Sequence, residues 1–316
     1  YKGNYDKTLE YYERSLKIHE ELDDKTGMGA ALSNIGIVYE TKGEYDKALE
    51  CCDKSLKIAE EIGDARGMGL TLGNIGAVHY YKGNYDKTLE YYERSLKIDE
   101  ELGDKYRMGQ TLGNIGAVHE AKGGYDTALE YYDKSLKIKE DIGDTRGMGH
   151  TLNSIGAVHA DKGEYDKALE YYDRSLKIRE EIGDKLGMGY NLCNIGIVHY
   201  KRGEYNRAVE HLEKSLSIQK EIGLKEIELH STIYLYLSYR HLGKNYDEKH
   251  LHSLIKDAEY IEFEVNFRLY QLLEDTKHLE TAYKQVQGRA SEMEEETGKT
   301  FLGYLIPKAI VEEYNK

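Results

Sequence analysis

The segment YKGNYDKTLEYYERSLKIDEEL, residues 81–102, repeats residues 1–22 at 21 of 22 positions; only Asp99 against His19 differs. The offset of 80 resolves into two steps of 40. Tyr5, Tyr45, Tyr85, Tyr125, Tyr165 and Tyr205 share one column, and Gly3, Gly43, Gly83, Gly123, Gly163 and Gly203 share another. A period of this length marks a solenoid, whose units pack only on their neighbours.

Residues 64–102 predict what one unit is. Asp64 can cap a helix, and Gly63 before it can end the previous one in the left-handed conformation. Leu72, Ile75, Gly76 and His79 then fall at i, i+3, i+4 and i+7, one face of a helix reaching about Tyr81. Gly83 breaks it. A second helix is expected from about Tyr85 to Leu102, with Leu89, Tyr92, Leu96 and Ile98 among its buried candidates. The repeats contain no alternating β-type segment, so the unit is a helical hairpin and the fold class is all-α.

The pattern resembles the tetratricopeptide repeat, which asks for a large residue, then Leu-Gly, an aromatic, a small residue and an aromatic. One unit supplies Leu112, Ile115-Gly116, His119, Ala128 and Tyr132; the next supplies Leu152, Ile155-Gly156, His159, Ala168 and Tyr172. Leu stands where the family has Trp, His often replaces the first aromatic, and Thr8 and Thr88 replace the small Ala. The Pro usual near the end of the second helix is absent. The 40-residue unit is similar to the longer-helix subclass that includes kinesin light chains and the cell-polarity adaptor LGN. The resemblance covers about residues 1–260 and implies a right-handed α-solenoid.

The period divides the chain into a half repeat (1–22, second helix only), five units (23–222), a worn sixth unit (223–260) and a C-terminal helical cap (261–316). In the sixth unit Tyr239 keeps its place, but Ile-Gly has become Leu235-Tyr236. The cap reads as Glu262–Leu273, Lys277–Glu295 and a last helix with Pro307 in its first turn. Its phrases Leu279–Tyr283 and Ile306-Pro307-Lys308 resemble the tails of bacterial or archaeal signalling proteins with ATPase or nucleotide-cyclase domains ahead of the repeats. The chain opens in mid-repeat, which predicts a piece of something longer.

On the first helix of each unit, Leu70, Asn74, Ala77 and Tyr81 form a second stripe rotated from the core. The resemblance implies that this face lines a concave groove. One column there reads Asn34, Asn74, Asn114, Ser154 and Asn194, with Asn153 beside the Ser. Asn favours helix interiors little and carries both a donor and an acceptor. Helices about 8–10 Å apart would let each Asn meet roughly every third residue of an extended chain. Two other accounts stand beside this ladder: each Asn bonds a neighbouring helix, or the column was copied with the repeat. Neighbouring columns vary (Ala30, Leu70, Gln110, His150, Tyr190), but so does His19, Ala59, Asp99, Lys139, Arg179, Gln219, expected on the solvated outside. The richer end of the groove is C-terminal: Tyr190, Asn194, Tyr200, Lys201, Tyr234, Arg240 and His241 combine aromatic area with cationic donors. The carboxylate clamp of chaperone-binding relatives is not matched, since Ser33, Gly73, Gly113, Asn153 and Cys193 stand where a Lys is wanted.

Other chemistry is weighed and set aside. His79, His119, His159 and His199 lie on different helices and are read as core, not as a metal set. Cys51 and Cys52 diverge on a helix. Gly298-Lys299-Thr300 lacks the preceding Gly of a phosphate loop; Met293 stands there. The Met28, Met68, Met108, Met148 and Met188 column is read as packing. The net charge of −14 disfavours nucleic acid and anionic membrane, and no run is apolar enough to span a bilayer. Three Cys in 316 residues suggest a reducing, cytoplasmic setting. The expectation is therefore a non-enzymatic scaffold without cofactor or metal, binding a protein or peptide. A regulatory arm of a larger protein and self-association through the first helix are the rivals.

Overall fold

Every regular element is an α-helix in the computed structural model, which describes residues 5–223, 227–258, 260–291, 295–303 and 305–316. The first unit, Tyr1–Ile142, holds α1 (Tyr5–Glu21), α2 (Lys25–Thr41), α3 (Tyr45–Ile62), α4 (Ala65–Tyr81), α5 (Tyr85–Leu102), α6 (Lys105–Ala121) and α7 (Tyr125–Ile142). The second, Gly143–Lys316, begins with α8 (Thr145–Asp161), α9 (Tyr165–Glu181), α10 (Lys185–Lys201), α11 (Tyr205–Ile222), α12 (Glu228–His241) and α13 (Glu248–Asp257). It ends with α14 (Phe263–Leu273), α15 (Thr276–Ser291), α16 (Glu295–Leu302) and α17 (Leu305–Tyr314). The helices of the repeat expected from residues 64–102 are α4 and α5. Of the proposed half repeat, residues 1–4 lie outside the described residues, as do 224–226 of the sixth unit and 292–294 inside the expected Lys277–Glu295 helix.

Caps set the helix ends. The carboxylates of Asp24, Asp64 and Asp104 accept the backbone N–H of Gly27, Gly67 and Arg107 at 3.0, 2.9 and 3.1 Å. Each satisfies an amide that the first turn leaves without a partner. Gly63 and Gly103 close α3 and α5 at φ of 68° and 67°, where a Cβ would be strained. Asp144 and Asp184 cap α8 and α10 in the same way.

Within each hairpin the two helices approach closely. A Cβ on Gly76 would stand 2.7 Å from the Tyr92 ring, and one on Gly196 would stand 2.6 Å from Leu212. Glycine is therefore required for close packing here, despite its cost in a helix. A hydroxyl ties the same helices. Ser55, Ser95 and Ser135 donate to the carbonyls of Gly29, Gly69 and Gly109 at 2.8, 2.8 and 2.6 Å; Ser175 and Ser215 do so to Gly149 and Gly189. Four of these five serines are fully buried, and Ser55 nearly so. On α5, Thr88, Ser95 and Asp99 are the most buried positions, with Tyr92; the expected Leu89, Leu96 and Ile98 are half-buried.

The last hairpin and the cap share apolar surface. Leu237, Leu251, Leu269 and Leu272 belong to one core, and Phe267, Leu279, Ala282, Val286, Phe301 and Ile310 to another.

Candidate functional site

In the first unit the face in question belongs to α2, α4 and α6. Ala30, Leu70 and Gln110 are exposed along it, Leu70 at 46%. Asn34 and Asn74 are half-buried. Asn74 Nδ2 donates to Ser33 Oγ at 2.9 Å, so this Asn links its helix to the one before. The equivalent acceptor for Asn114 would come from position 73, which is Gly73. Asn114 is exposed and its side chain bonds none of the described residues. Tyr81 closes the row, 59% exposed, with its ring parallel to Tyr45 at 6.4 Å.

The second unit shows the same helix-to-helix link. Asn194 Nδ2 donates to Asn153 Oδ1 at 3.2 Å, while Ser154 and Tyr190 are half-buried. The bond to a neighbouring helix, weighed against the ladder above, is therefore present at Asn74 and Asn194.

The aromatic and cationic end differs from expectation, because the cap takes part of it. Tyr234 has no exposed surface; its hydroxyl donates to Glu264 at 2.8 Å and accepts from Arg268 Nε at 3.1 Å. Arg240 reaches past the face to the end of α14, donating to Gln271 O at 2.7 Å and to Glu274 at 2.6 Å. Glu274 holds a left-handed φ of 59°, and Arg240 satisfies carbonyls that this helix end leaves open. Lys201 Nζ lies 3.9 Å from Glu264. Burial alone would raise the Glu264 carboxyl, but Lys201, Arg268 and His230 outweigh it and hold it below its ordinary value. Tyr200 remains half-buried, edge-on to Tyr234 at 5.3 Å. Tyr234 and Arg240 are thus cap-docking residues here, contrary to their reading as open groove surface. The sequence hides this because Glu264 and Gln271 lie outside the repeat period.

A second correction concerns the column expected on the solvated outside. Ala59, Asp99, Lys139, Arg179 and Gln219 are all buried, and His19 is half-buried. Each sits near the end of a second helix, and most bond groups of their own repeat or the next. Asp99 Oδ1 accepts from Arg107 Nε at 2.7 Å. Gln219 Nε2 donates to Ser215 and Ser231 at 2.6 and 2.8 Å, and His19 Nδ1 lies 2.8 Å from Asp24. The variation in this column is a set of different buried contacts, not drift. Its signal in sequence was phase: the column lies four residues after the buried serines.

The groups weighed for chemistry are packed. His79, His119 and His159 stack on Tyr91, Tyr131 and Tyr171 at 5.5, 5.4 and 5.4 Å, and burial lowers the pKa of His79 and His119. Burial pushes the Cys52 thiol up to about 12 and the Cys193 thiol to about 11, so neither is a thiolate nucleophile. Gly298 and Lys299 lie inside α16, not in a loop; Met293 is outside the described residues. Among the described residues no three His, Cys, Asp or Glu side chains are placed to hold a metal, and no helix is long and apolar enough to cross a membrane.

Comparisons with known proteins agree with this geometry. No curated protein matches the chain in sequence. A signal transduction ATPase with numerous domains from Pyrococcus horikoshii, which carries a tetratricopeptide repeat sensor, is 20% identical with TM-score 0.64; the match covers 96% of this chain and 44% of that one. A Rap protein complexed with Competence and Sporulation Factor is 16% identical with TM-score 0.59, covering 92% of this chain and 75% of that one. Nearly identical repeats assigned to a kinesin light chain of Podosopora anserina are 12% identical with TM-score 0.51, covering 61% of this chain and 95% of that one. At these identities the likeness shows the fold alone. The tetratricopeptide repeat family matches residues 1–66, 67–141 and 147–221. With the hairpins, the close Gly contacts and this match over most of its length, the chain belongs to the tetratricopeptide repeat family.

Proposed function

We propose that the chain is a protein-interaction scaffold with no catalytic chemistry of its own, which holds an extended segment of a partner along its first-helix faces. The observation that carries this reading is Asn114: an exposed amide with donor and acceptor free, beside exposed Gln110. Leu70 and Tyr81 add exposed apolar area to the same face. Asn74 and Asn194 hold their helices in register and take a smaller share in binding. In the second unit Ser154, the counterpart of Asn34, with its neighbour Asn153 and with Tyr190, Tyr200 and Lys201, offers the corresponding surface, and Tyr234 and Arg240 on α12 support it by holding the cap. The partner is a protein or peptide and not nucleic acid or an anionic membrane, in keeping with a net charge of −14. The setting is reducing and cytoplasmic, in keeping with three free cysteines. The complexed Rap protein supports the reading as a relative in fold that holds a factor.

One observation favours a second reading, a sensor or regulatory arm of a larger protein. The chain spans 44% of the P. horikoshii ATPase, whose repeats are its sensor.

The test is selection of binders from a random peptide display library against the intact chain, followed by mapping of the bound peptide by NMR. Shifts concentrated at Leu70, Gln110 and Asn114 support the groove. Shifts confined to second helices, or failure to enrich any peptide, overturn it.

A further inference from the structure

His19, Ala59, Asp99 and Arg179, at the ends of second helices, each face one position in the first turn of the next helix. A Cβ on Gly27 would collide with the His19 ring, and one on Gly187 with the Arg179 guanidinium. Between α5 and α6 the sizes are shared, Asp99 facing Arg107. Among these described pairs, Ala59 and Gly67 alone put a small residue on both sides. A cavity of about 160 Å³ opens there, among α2, α3 and α4. Its walls are largely apolar: Ile58, Ala59, Ile62 and Leu70, with Gly29 and Gly67. Three of its four hydroxyls are engaged: Ser55 donates to Gly29 O at 2.8 Å and lies 3.2 Å from Thr71 Oγ1, and Ser33 accepts from Asn74. Lys25 at its rim is paired with Glu61 at 3.2 Å.

We infer that this cavity is a pocket for one apolar side chain of the partner segment, of the size of Leu, Met or Phe. An apolar cavity of about 150 Å³ admits benzene, and this one is slightly larger. The charges that also line it already have partners, Asp64 accepting the Gly67 N–H at 2.9 Å and Arg66 lying 3.8 Å from Asp104, which disfavours a charged group in the pocket. It opens beside exposed Leu70 and Ala30 and is lined by Ser33, the acceptor of Asn74, so it is continuous with the proposed peptide face. This rests on the groove reading for the source of the side chain, but the pocket can be tested without any peptide.

The chain itself supplies the blocking variant. Gln219, one column member, bonds Ser215 and Ser231, and the equivalents of those two are Ser55 and Thr71. Ala59→Gln should fill the pocket and recreate that network without harm to the fold; Ala59→Met fills it without new hydrogen bonds. N-acetyl-leucinamide, N-acetyl-phenylalaninamide, N-acetyl-alaninamide and free benzene would be titrated into the intact chain. The methyl signals of Ile58, Ile62 and Leu70 would be followed by NMR. The Leu or Phe amide should saturate at a concentration at least about tenfold below the Ala amide, and both filling variants should abolish the effect. No saturation with any probe, or equal saturation in a folded filling variant, overturns the pocket. Saturation by benzene but by neither bulky amide overturns a side-chain source. These single capped residues do not span the face, so their failure leaves the groove reading standing, and failure of peptide selection leaves the pocket standing.

Discussion

Asp99 and Arg107 are paired across the joint between α5 and α6, with Oδ1 2.7 Å from Nε and the Asp side chain fully buried. Buried pairs contribute little over an apolar isostere, but removing one partner strands the other. Asp99→Ala leaves a guanidinium whose side chain is only 12% exposed, and should cost about 3 kcal/mol. Adding Arg107→Gly recreates the small pair seen at Ala59 and Gly67 and should recover part of the loss. Urea unfolding of the two single variants and the double variant measures the coupling; a neutral Asp99→Ala contradicts it.

The helix glycines divide into two kinds. A Cβ on Gly76 meets the Tyr92 ring at 2.7 Å, whereas one on Gly73 meets only Ser95 Oγ at 3.7 Å, an ordinary contact. Gly76→Ala should therefore destabilise by about 1–3 kcal/mol through overpacking. Gly73→Ala should stabilise by up to about 1 kcal/mol through helix propensity. Thermal melts of both variants check the contrast in sign.

Arg240 fastens the cap through backbone as well as charge. The Arg240–Glu274 pair is largely exposed and contributes little alone, but the bond to Gln271 O at 2.7 Å closes a helix end. Arg240→Ala should cost about 1 kcal/mol and speed amide exchange at the C-terminal turn of α14. Unchanged exchange there would remove the role assigned to it.

Acid should weaken the fold early. His79, His119, His199 and His230 are all held below the ordinary value of 6.5, first by burial. The unfolded chain then binds more protons than the folded one just below 6.5. The histidine contribution is full above that value and declines as pH falls through the window beneath it. Carboxylates such as Glu204, lowered by its bond to His199, act only in a more acid window, below 4.5. Asp161, pushed up to about 6 by burial, works the other way in the same window, so the test uses Asp161→Asn: in that background urea midpoints should fall between about pH 7.5 and about pH 5.5, and a flat profile would contradict the burial of these rings.

The repeat made the hairpins readable to the residue, because Asp caps, left-handed Gly and the Ile-Gly spacing are local features that recur at fixed phase. α4 and α5 end where Asp64, Gly83 and Gly103 require. What was misread depended on partners outside the period. Tyr234 and Arg240 looked like groove residues because the columns continue through them, yet their partners, Glu264 and Gln271, belong to the cap. The column from His19 to Gln219 looked solvated because polar residues that vary usually are. Here His19, Asp99, Arg179 and Gln219 find different partners while Ala59 finds none, so variability and burial coexist. The two Asn bonds to Ser33 and Asn153 depend on which residue the previous repeat places 41 positions earlier, and that column holds Ser33, Gly73, Gly113, Asn153 and Cys193.

Gly73 gives that dependence its sharpest use. It leaves Asn114 free to hold the N–H and C=O of a partner chain, as the proposed function requires. The most direct measurement is the affinity of a selected peptide for the intact chain and for Asn114→Ala and Gly73→Ser. The second substitution offers Asn114 the acceptor that Ser33 offers Asn74. Loss of two hydrogen bonds predicts about tenfold weaker binding for Asn114→Ala, and a loss in the same direction for Gly73→Ser. Affinity within about twofold of the parent for both variants would contradict the account.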